Sequence, residues 1–166
     1  MSPKPPATSR VFPSFLLAQV GAHASSRFGD RLQRLGLTRP EAGILRLVGA
    51  SGGLSQQRLA AALGIHPSRL VAILDELESK GLVERRPHPE DRRTYAIHLT
   101  DAGEATWKEV ARVAREHNEA LLAALKPRER EELGSLLQAV ADEQGLTPGV
   151  HPGYRRLGPR GAPRRR

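Results

Sequence analysis

The sequence predicts a mainly α-helical fold with one small antiparallel β-hairpin, and three observations lead there. Of 166 residues, 39% are hydrophobic but only 4% aromatic, so the core must be built from Leu, Ala and Val, which suits packed helices. Apolar residues recur at helical spacing in long stretches near both ends of the chain. Between them, Leu54 to Thr100 reads as two short helices across a glycine turn, followed by two strands around a charged loop.

In chain order, Met1 to Arg10 carries Pro3, Pro5 and Pro6 and is expected to be a mobile arm, residues 1–11 in all. From about Pro13, the residues Leu17, Val20, Ala24, Phe28, Leu32 and Leu35 fall on one helical stripe that ends at Gly36. Thr38-Arg39-Pro40-Glu41 has the spacing of a capping box, and Ile44, Leu45 and Val48 form the core face of a short helix that Gly52 and Gly53 end. Ser55 is a good N-cap and Gly64 a left-handed stop, giving a helix of about two turns between them. Pro67 then sits where a missing N–H costs nothing, and Leu70, Ile73, Leu74 and Leu77 repeat at i, i+3, i+4, i+7 in a helix running to about Lys80. Leu82 to Arg86 and Thr94 to Leu99 are predicted strands, with the polar loop Pro87 to Arg93 between them. This order is that of a winged helix-turn-helix, spanning about residues 38–100.

Thr100 is the predicted N-cap of a long helix from Asp101 to about Ala124, with Val110, Ala114, His117 and Leu121 on one stripe. A last helix opens at Pro127, carries Leu133, Leu136, Leu137 and Val140, and ends at Gly145. The apolar stripes of the first helix and the last two exceed what a small winged helix buries, so about residues 12–36 and 101–145 are expected to be dimerisation helices and the chain a homodimer. Residues 147–166, rich in Gly, Pro and Arg, are expected to form a basic disordered tail.

Several of these fragments together resemble the MarR family of bacterial transcriptional regulators: Gly64-Ile65 before the second short helix, Leu77-Glu78-Ser79-Lys80-Gly81-Leu82-Val83-Glu84-Arg85, Pro89-Glu90-Asp91-Arg92-Arg93, and Leu99-Thr100-Asp101-Ala102-Gly103. The likeness of layout covers about Phe12 to Leu146. It implies a homodimer that binds operator DNA and, in many members, releases it when a small molecule binds; a repressor is expected rather than an activator. Some members use a cysteine peroxide switch, which this cysteine-free chain excludes, along with disulfides and thiolate metal sites. The chain departs from the usual pattern at Ala72 and Glu76, where many members carry basic residues.

The helix from Pro67 is by its position the recognition helix, whose N-terminal residues enter the major groove. Arg69 can bond guanine O6 and N7 together, and Val71 can touch a thymine methyl. His66 and Ser68 suit phosphate. Gln56, Gln57 and Arg58, opening the preceding helix, suit phosphate or plain solvent. Arg92 and Arg93 at the hairpin tip suit a narrow minor groove, with Asp91 pairing one of them. In the family an effector pocket forms between the dimerisation helices and the winged helix; His23, Arg27 and Trp107 are the candidates to line it, against ordinary packing and exposure.

The net charge of +8 owes much to Arg155, Arg156, Arg160, Arg164, Arg165 and Arg166; without them 20 bases face 18 acids. The body of the chain is thus nearly balanced, and the placement of its cations carries the nucleic-acid reading. No pair of the six histidines has metal-ligand spacing, so neither metal nor cofactor is expected. The absence of a nucleophile elbow, a P-loop or a Gly-x-Gly-x-x-Gly turn speaks against an enzyme. No apolar run reaches membrane-spanning length and Met1 to Arg10 lacks the apolar core of a signal peptide, so a cytoplasmic protein is expected. The function expected is therefore sequence-specific binding of an inverted-repeat operator in double-stranded DNA. Two alternatives stay open: nonspecific or architectural DNA binding driven by the basic tail, and a winged-helix interaction or ligand-binding module with little DNA affinity.

Overall fold

The structure, a computed structural model, describes residues 12–87, 95–151 and 154. The elements are α1 (Pro13–Gln33), α2 (Arg39–Ser51), β1 (Leu54–Ser55), α3 (Gln56–Leu63), α4 (Pro67–Ser79), β2 (Val83–Pro87), β3 (Tyr95–Leu99), α5 (Asp101–Leu121) and α6 (Pro127–Glu143). Each helix of the expected winged helix-turn-helix is present within a residue or two of its predicted limits, while α5 stops at Leu121, short of Ala124. The predicted hairpin is part of a three-stranded antiparallel sheet of order β1-β3-β2. Its extra strand pairs Leu54 with Ile97 and Ser55 with Ala96, so the residue that caps α3 also ends a sheet.

The local signals act as their chemistry dictates. The Ser55 hydroxyl accepts a bond from the Arg58 amide, and Gly64 stands in the left-handed region at φ 61°. The Thr100 hydroxyl accepts from the Gly103 amide and donates to the Gly81 carbonyl 2.6 Å away, locking the start of α5 to the end of the recognition helix. A Cβ on Gly103 would lie 1.9 Å from the Leu82 carbonyl oxygen, so only glycine lets α5 start this close to the wing. Leu45, Leu59, Leu63, Leu70, Leu74, Leu77 and Ile97 are fully buried in the core that these elements enclose.

The Thr38–Glu41 capping box is complete, and it does more than cap. Glu41 is only 2% exposed; one carboxylate oxygen accepts from the Thr38 amide and hydroxyl, and the other from Lys80 Nζ at 2.6 Å. Lys80 Nζ also donates to the Gly36 carbonyl, so the start of α2 is tied to the end of α4. Burial pushes the Glu41 carboxyl up, but the Lys80 bond and the Thr38 donors outweigh it and hold it below its ordinary value. The folded state therefore favours the ionised form, and this stabilisation is present above the ordinary carboxylate range and lost as pH falls through the depressed value. Glu41→Gln is expected to lower stability at neutral pH by about 2 kcal/mol and to flatten the acid limb of a melting curve series. An unchanged acid limb would assign acid unfolding to other carboxylates.

The apolar stripe of α1 divides in two. Leu32 is fully buried, and Phe28 and Leu35 pack against the core, whereas Phe15, Leu16, Leu17 and Val20 are 43–59% exposed. Helix α5 likewise commits Val110 and Val113 to the interior of its own chain. By contrast α6 buries no residue, and Leu136, Leu137 and Val140 lie 60%, 40% and 48% exposed. Within one chain, therefore, these apolar residues of α6 and those of the N-terminal half of α1 stay exposed, whereas α5 and the C-terminal half of α1 place theirs in or against the core.

The segment after Leu146 departs from the expected tail. A turn closes between Thr147 and Val150, Arg46 Nη2 donates to the Gly149 carbonyl, and Tyr154 packs against α2. Tyr154 is an aromatic anchor in a stretch otherwise poor in apolar residues. The expected arm 1–11, the wing tip 88–94 and residues 155–166 lie outside the described residues.

Candidate nucleic-acid interface

The recognition helix α4 buries Leu70, Ile73, Leu74 and Leu77, which turns Ser68, Val71, Ala72 and Asp75 outward, all of them exposed. His66 is its N-cap: the ring Nδ1 accepts from the Ser68 amide and lies 2.8 Å from the Ser68 hydroxyl. His66 and Ser68 thus form one exposed polar unit at the helix start, where unpaired amides favour anions. Gln56, half-buried, and Gln57, exposed, open α3 and line a cleft shared with Gly64, Ile65 and Pro67 across the turn. The two helix starts therefore lie side by side. Val71 is 37% exposed and free for an apolar contact.

Arg69 stands differently from its neighbours. It is half-buried on the flank of α4 that faces α2, lining a cleft with Thr38, Glu41, Ile73, Glu76 and Lys80. Its Nε is buried and makes no hydrogen bond. The remaining guanidinium nitrogens are the part of Arg69 available to a ligand.

Beside α4, Arg85 of β2 pairs with both Asp75 and Glu78, fastening the base of the wing to the recognition helix. Arg86 pairs with Glu84 on the same strand. Two of the three acids of α4, Asp75 and Glu78, are thereby partly neutralised, and the third, Glu76, lies 3.9 Å from Lys80 Nζ. Arg92 and Arg93, expected at the wing tip, fall outside the described residues.

The three residues expected to share an effector pocket do not come together. His23 and Arg27 of α1 line a cleft of about 100 Å³ with Arg31, His117, Ala120 and Leu121, between α1 and α5. Trp107 lines a separate cleft of about 380 Å³ with His98, Arg86, Asp101, Glu104 and Lys108, between α2, the sheet and α5. Trp107 and His117 share α5 at ten residues' separation, which is ~15 Å along the axis and too far for one small cleft. The ring of His117, which lines the first cleft, approaches that of Phe28 to 5.4 Å between centroids. Burial, and then the charges of Arg31, His23 and Arg27, push the His117 imidazole below its ordinary value. Arg27 and Arg31 are the permanent charges of this cleft, and no carboxylate is among its lining residues. Among the described residues no group of three or more ligating side chains could hold a metal, and no helix is long and apolar enough to cross a membrane.

A short helix, a glycine turn, a second helix with its outer face free, and a hairpin fastened beside it define a winged helix-turn-helix, the DNA-binding unit of transcriptional regulators. The comparisons with known proteins agree on the kind. The MarR family model matches residues 35–94. An HTH-type transcriptional repressor of Mycobacterium tuberculosis is 31% identical over 129 residues, 78% of this chain and 93% of that protein. The crystal structure of a M. tuberculosis MarR family protein in complex with DNA is 31% identical with a TM-score of 0.68, covering 78% of this chain and 98% of that one. A mutant of Escherichia coli MarR complexed with operator DNA has 26% identity and a TM-score of 0.66, covering 76% of this chain and 91% of that one. The chain belongs to the MarR family of transcriptional regulators.

Proposed function

We propose that the protein is a dimeric repressor that reads an inverted-repeat operator with α4 in successive major grooves. The observation that carries this reading is the free N-terminal face of α4, where the His66–Ser68 unit and Val71 stand beside the exposed Gln57 at the start of α3. In this reading His66, Ser68, Gln56 and Gln57 hold phosphate, Val71 touches a thymine methyl, and the wing residues Arg92 and Arg93 enter the minor groove. Arg69 reaches a guanine edge with its terminal nitrogens while its buried Nε stays against α2. Repression is favoured because the M. tuberculosis relative is named a repressor.

Selection of bound DNA from a random pool tests this reading. It should return two half-sites related by two-fold symmetry, with centres about one helical turn, ~10 bp, apart. On the selected site Arg69→Ala should cost ~1–3 kcal/mol and relax preference at one position in each half-site. An equal loss on all sequences would make Arg69 a phosphate ligand, and a pool without symmetry would favour the nonspecific alternative.

For an effector, the basic cleft of His23, Arg27, Arg31 and His117 favours a small anionic group over the larger, mixed-charge cleft at Trp107. Titrating the protein with acetate at constant ionic strength should shift the His117 ring resonances, and Arg27→Ala with Arg31→Ala should abolish the shift. A shift that survives both substitutions would show that the cleft does not bind the anion.

A further inference from the structure

The segment after α6 returns to the winged helix of its own chain, and its contacts are specific. Arg39, Gly43 and Arg46 stand at i, i+4 and i+7 on α2 and form one stripe. The Tyr154 hydroxyl donates to the Arg39 carbonyl at 3.1 Å, and Arg46 Nη2 donates to the Gly149 carbonyl at 2.5 Å. Gly43 lies under the Tyr154 ring: a Cβ there would stand 2.7 Å from the phenol oxygen and 3.2 Å from two ring carbons. Glycine inside a helix is a standing cost relative to alanine. All three of the atoms nearest to that missing Cβ belong to Tyr154, so the tyrosine accounts for the glycine. Burial raises the phenol above its ordinary value, which keeps it protonated as a donor.

The opposite face of α2 carries Glu41, Ile44, Leu45 and Val48 into the core, and Glu41 holds Lys80 at the end of α4. A continuous path of contacts therefore runs from the end of α6 through Tyr154 to α2, and through Glu41 to the recognition helix. At its other end, α6 buries nothing in its own chain. The Arg46–Gly149 and Tyr154–Arg39 bonds, with the Tyr154 ring on Gly43, join the segment after α6 to the winged helix.

We propose that Thr147 to His151, together with Tyr154, form a strap that sets the pitch of the winged helix against the dimer face, with Tyr154 as a positioning residue for DNA binding that touches no DNA itself. In a two-fold dimer the separation of the recognition helices depends on that pitch, so the strap selects the half-site spacing. The inference rests on the dimeric, operator-binding reading above. Wild-type protein that selects no site defeats that reading, whereas wild-type selection with indifferent strap variants defeats the strap only.

The test uses the full chain and the site it selects from a random pool, re-made with half-site spacings one and two base pairs shorter and longer. Tyr154→Ala and Gly43→Ala should each weaken binding at the preferred spacing about tenfold, flatten the preference among spacings, and leave the protein sedimenting as a dimer. Tyr154→Phe keeps the ring on Gly43 and should stay within about threefold of wild type. The double variant Gly43→Ala with Tyr154→Ala should bind no worse than Tyr154→Ala alone, because the new Cβ then meets no ring. Unchanged spacing preference in both single variants would overturn the proposal, as would additive losses in the double variant. A Tyr154→Ala protein that sediments as a monomer would also overturn it, by moving the contact's role to assembly.

Discussion

Leu136→Asp combined with Leu137→Asp is expected to yield a folded monomer that no longer binds its operator. Both leucines are exposed in the single chain, on a helix that buries no residue of its own, so the substitutions remove nothing from the core. In a two-fold dimer each replacement counts twice, which puts four carboxylates into the interface. An unpaired buried carboxylate costs several kcal/mol after relaxation; at roughly 3 kcal/mol each the four sum to ~12 kcal/mol. That equals the entire binding free energy of a nanomolar dimer. Sedimentation should therefore show monomer at micromolar concentration, while helix content and the melting of the winged helix persist. As a control, Gln138→Lys on the opposite face of α6, where Gln138 bonds Asp142, should leave the dimer intact. Wild-type protein that already sediments as a monomer would remove the basis for this expectation, and unfolding of the variant would show that α6 supports its own chain more than its exposure indicates.

What was legible in the sequence was whatever acts over a few residues. The Thr38–Glu41 box, Ser55, Gly64, Pro67 and the leucine stripe of α4 are local chemistry, and each appears where its spacing placed it. β1 was not legible because two residues cannot show alternation; it exists only through its pairing with β3. The Glu41–Lys80 pair joins residues 39 apart, and the Tyr154 bond to α2 spans 115, distances at which no periodicity carries a signal. A buried acid inside a capping box and an isolated tyrosine in an arginine-rich segment were the traces available. For the site, the outward face of α4 followed from its core face, but the flank on which Arg69 sits depends on how closely α2 packs. The grouping of His23 and Arg27 with Arg31 and His117, and apart from Trp107, required the register of α1 against α5.

Ending the chain after Tyr154 is expected to weaken DNA binding strongly at low salt without altering the order of preferred sites. The cut removes Arg155, Arg156, Arg160, Arg164, Arg165 and Arg166, a cationic stretch with no acid after Glu143. It spares Gly149 and Tyr154, whose bonds to Arg46 and Arg39 hold the strap, so the two effects are separable. Arginines that need no fixed pose can neutralise phosphates on any sequence, each releasing counterions and adding roughly 0.9 to the slope of log K against log salt. If the two tails of a dimer together engage six phosphates, the slope falls by about 5 on truncation, and the tail's advantage at 50 mM exceeds that at 200 mM by roughly a thousandfold. Binding to random-sequence DNA should fall in parallel, since the term carries no base information. The comparison is a salt series on the selected operator and on random DNA, for the full chain and the truncated one. A truncated protein that keeps the full slope would make the tail a bystander. A changed order among sites would mean that the tail reads sequence, and would move part of the specificity away from α4.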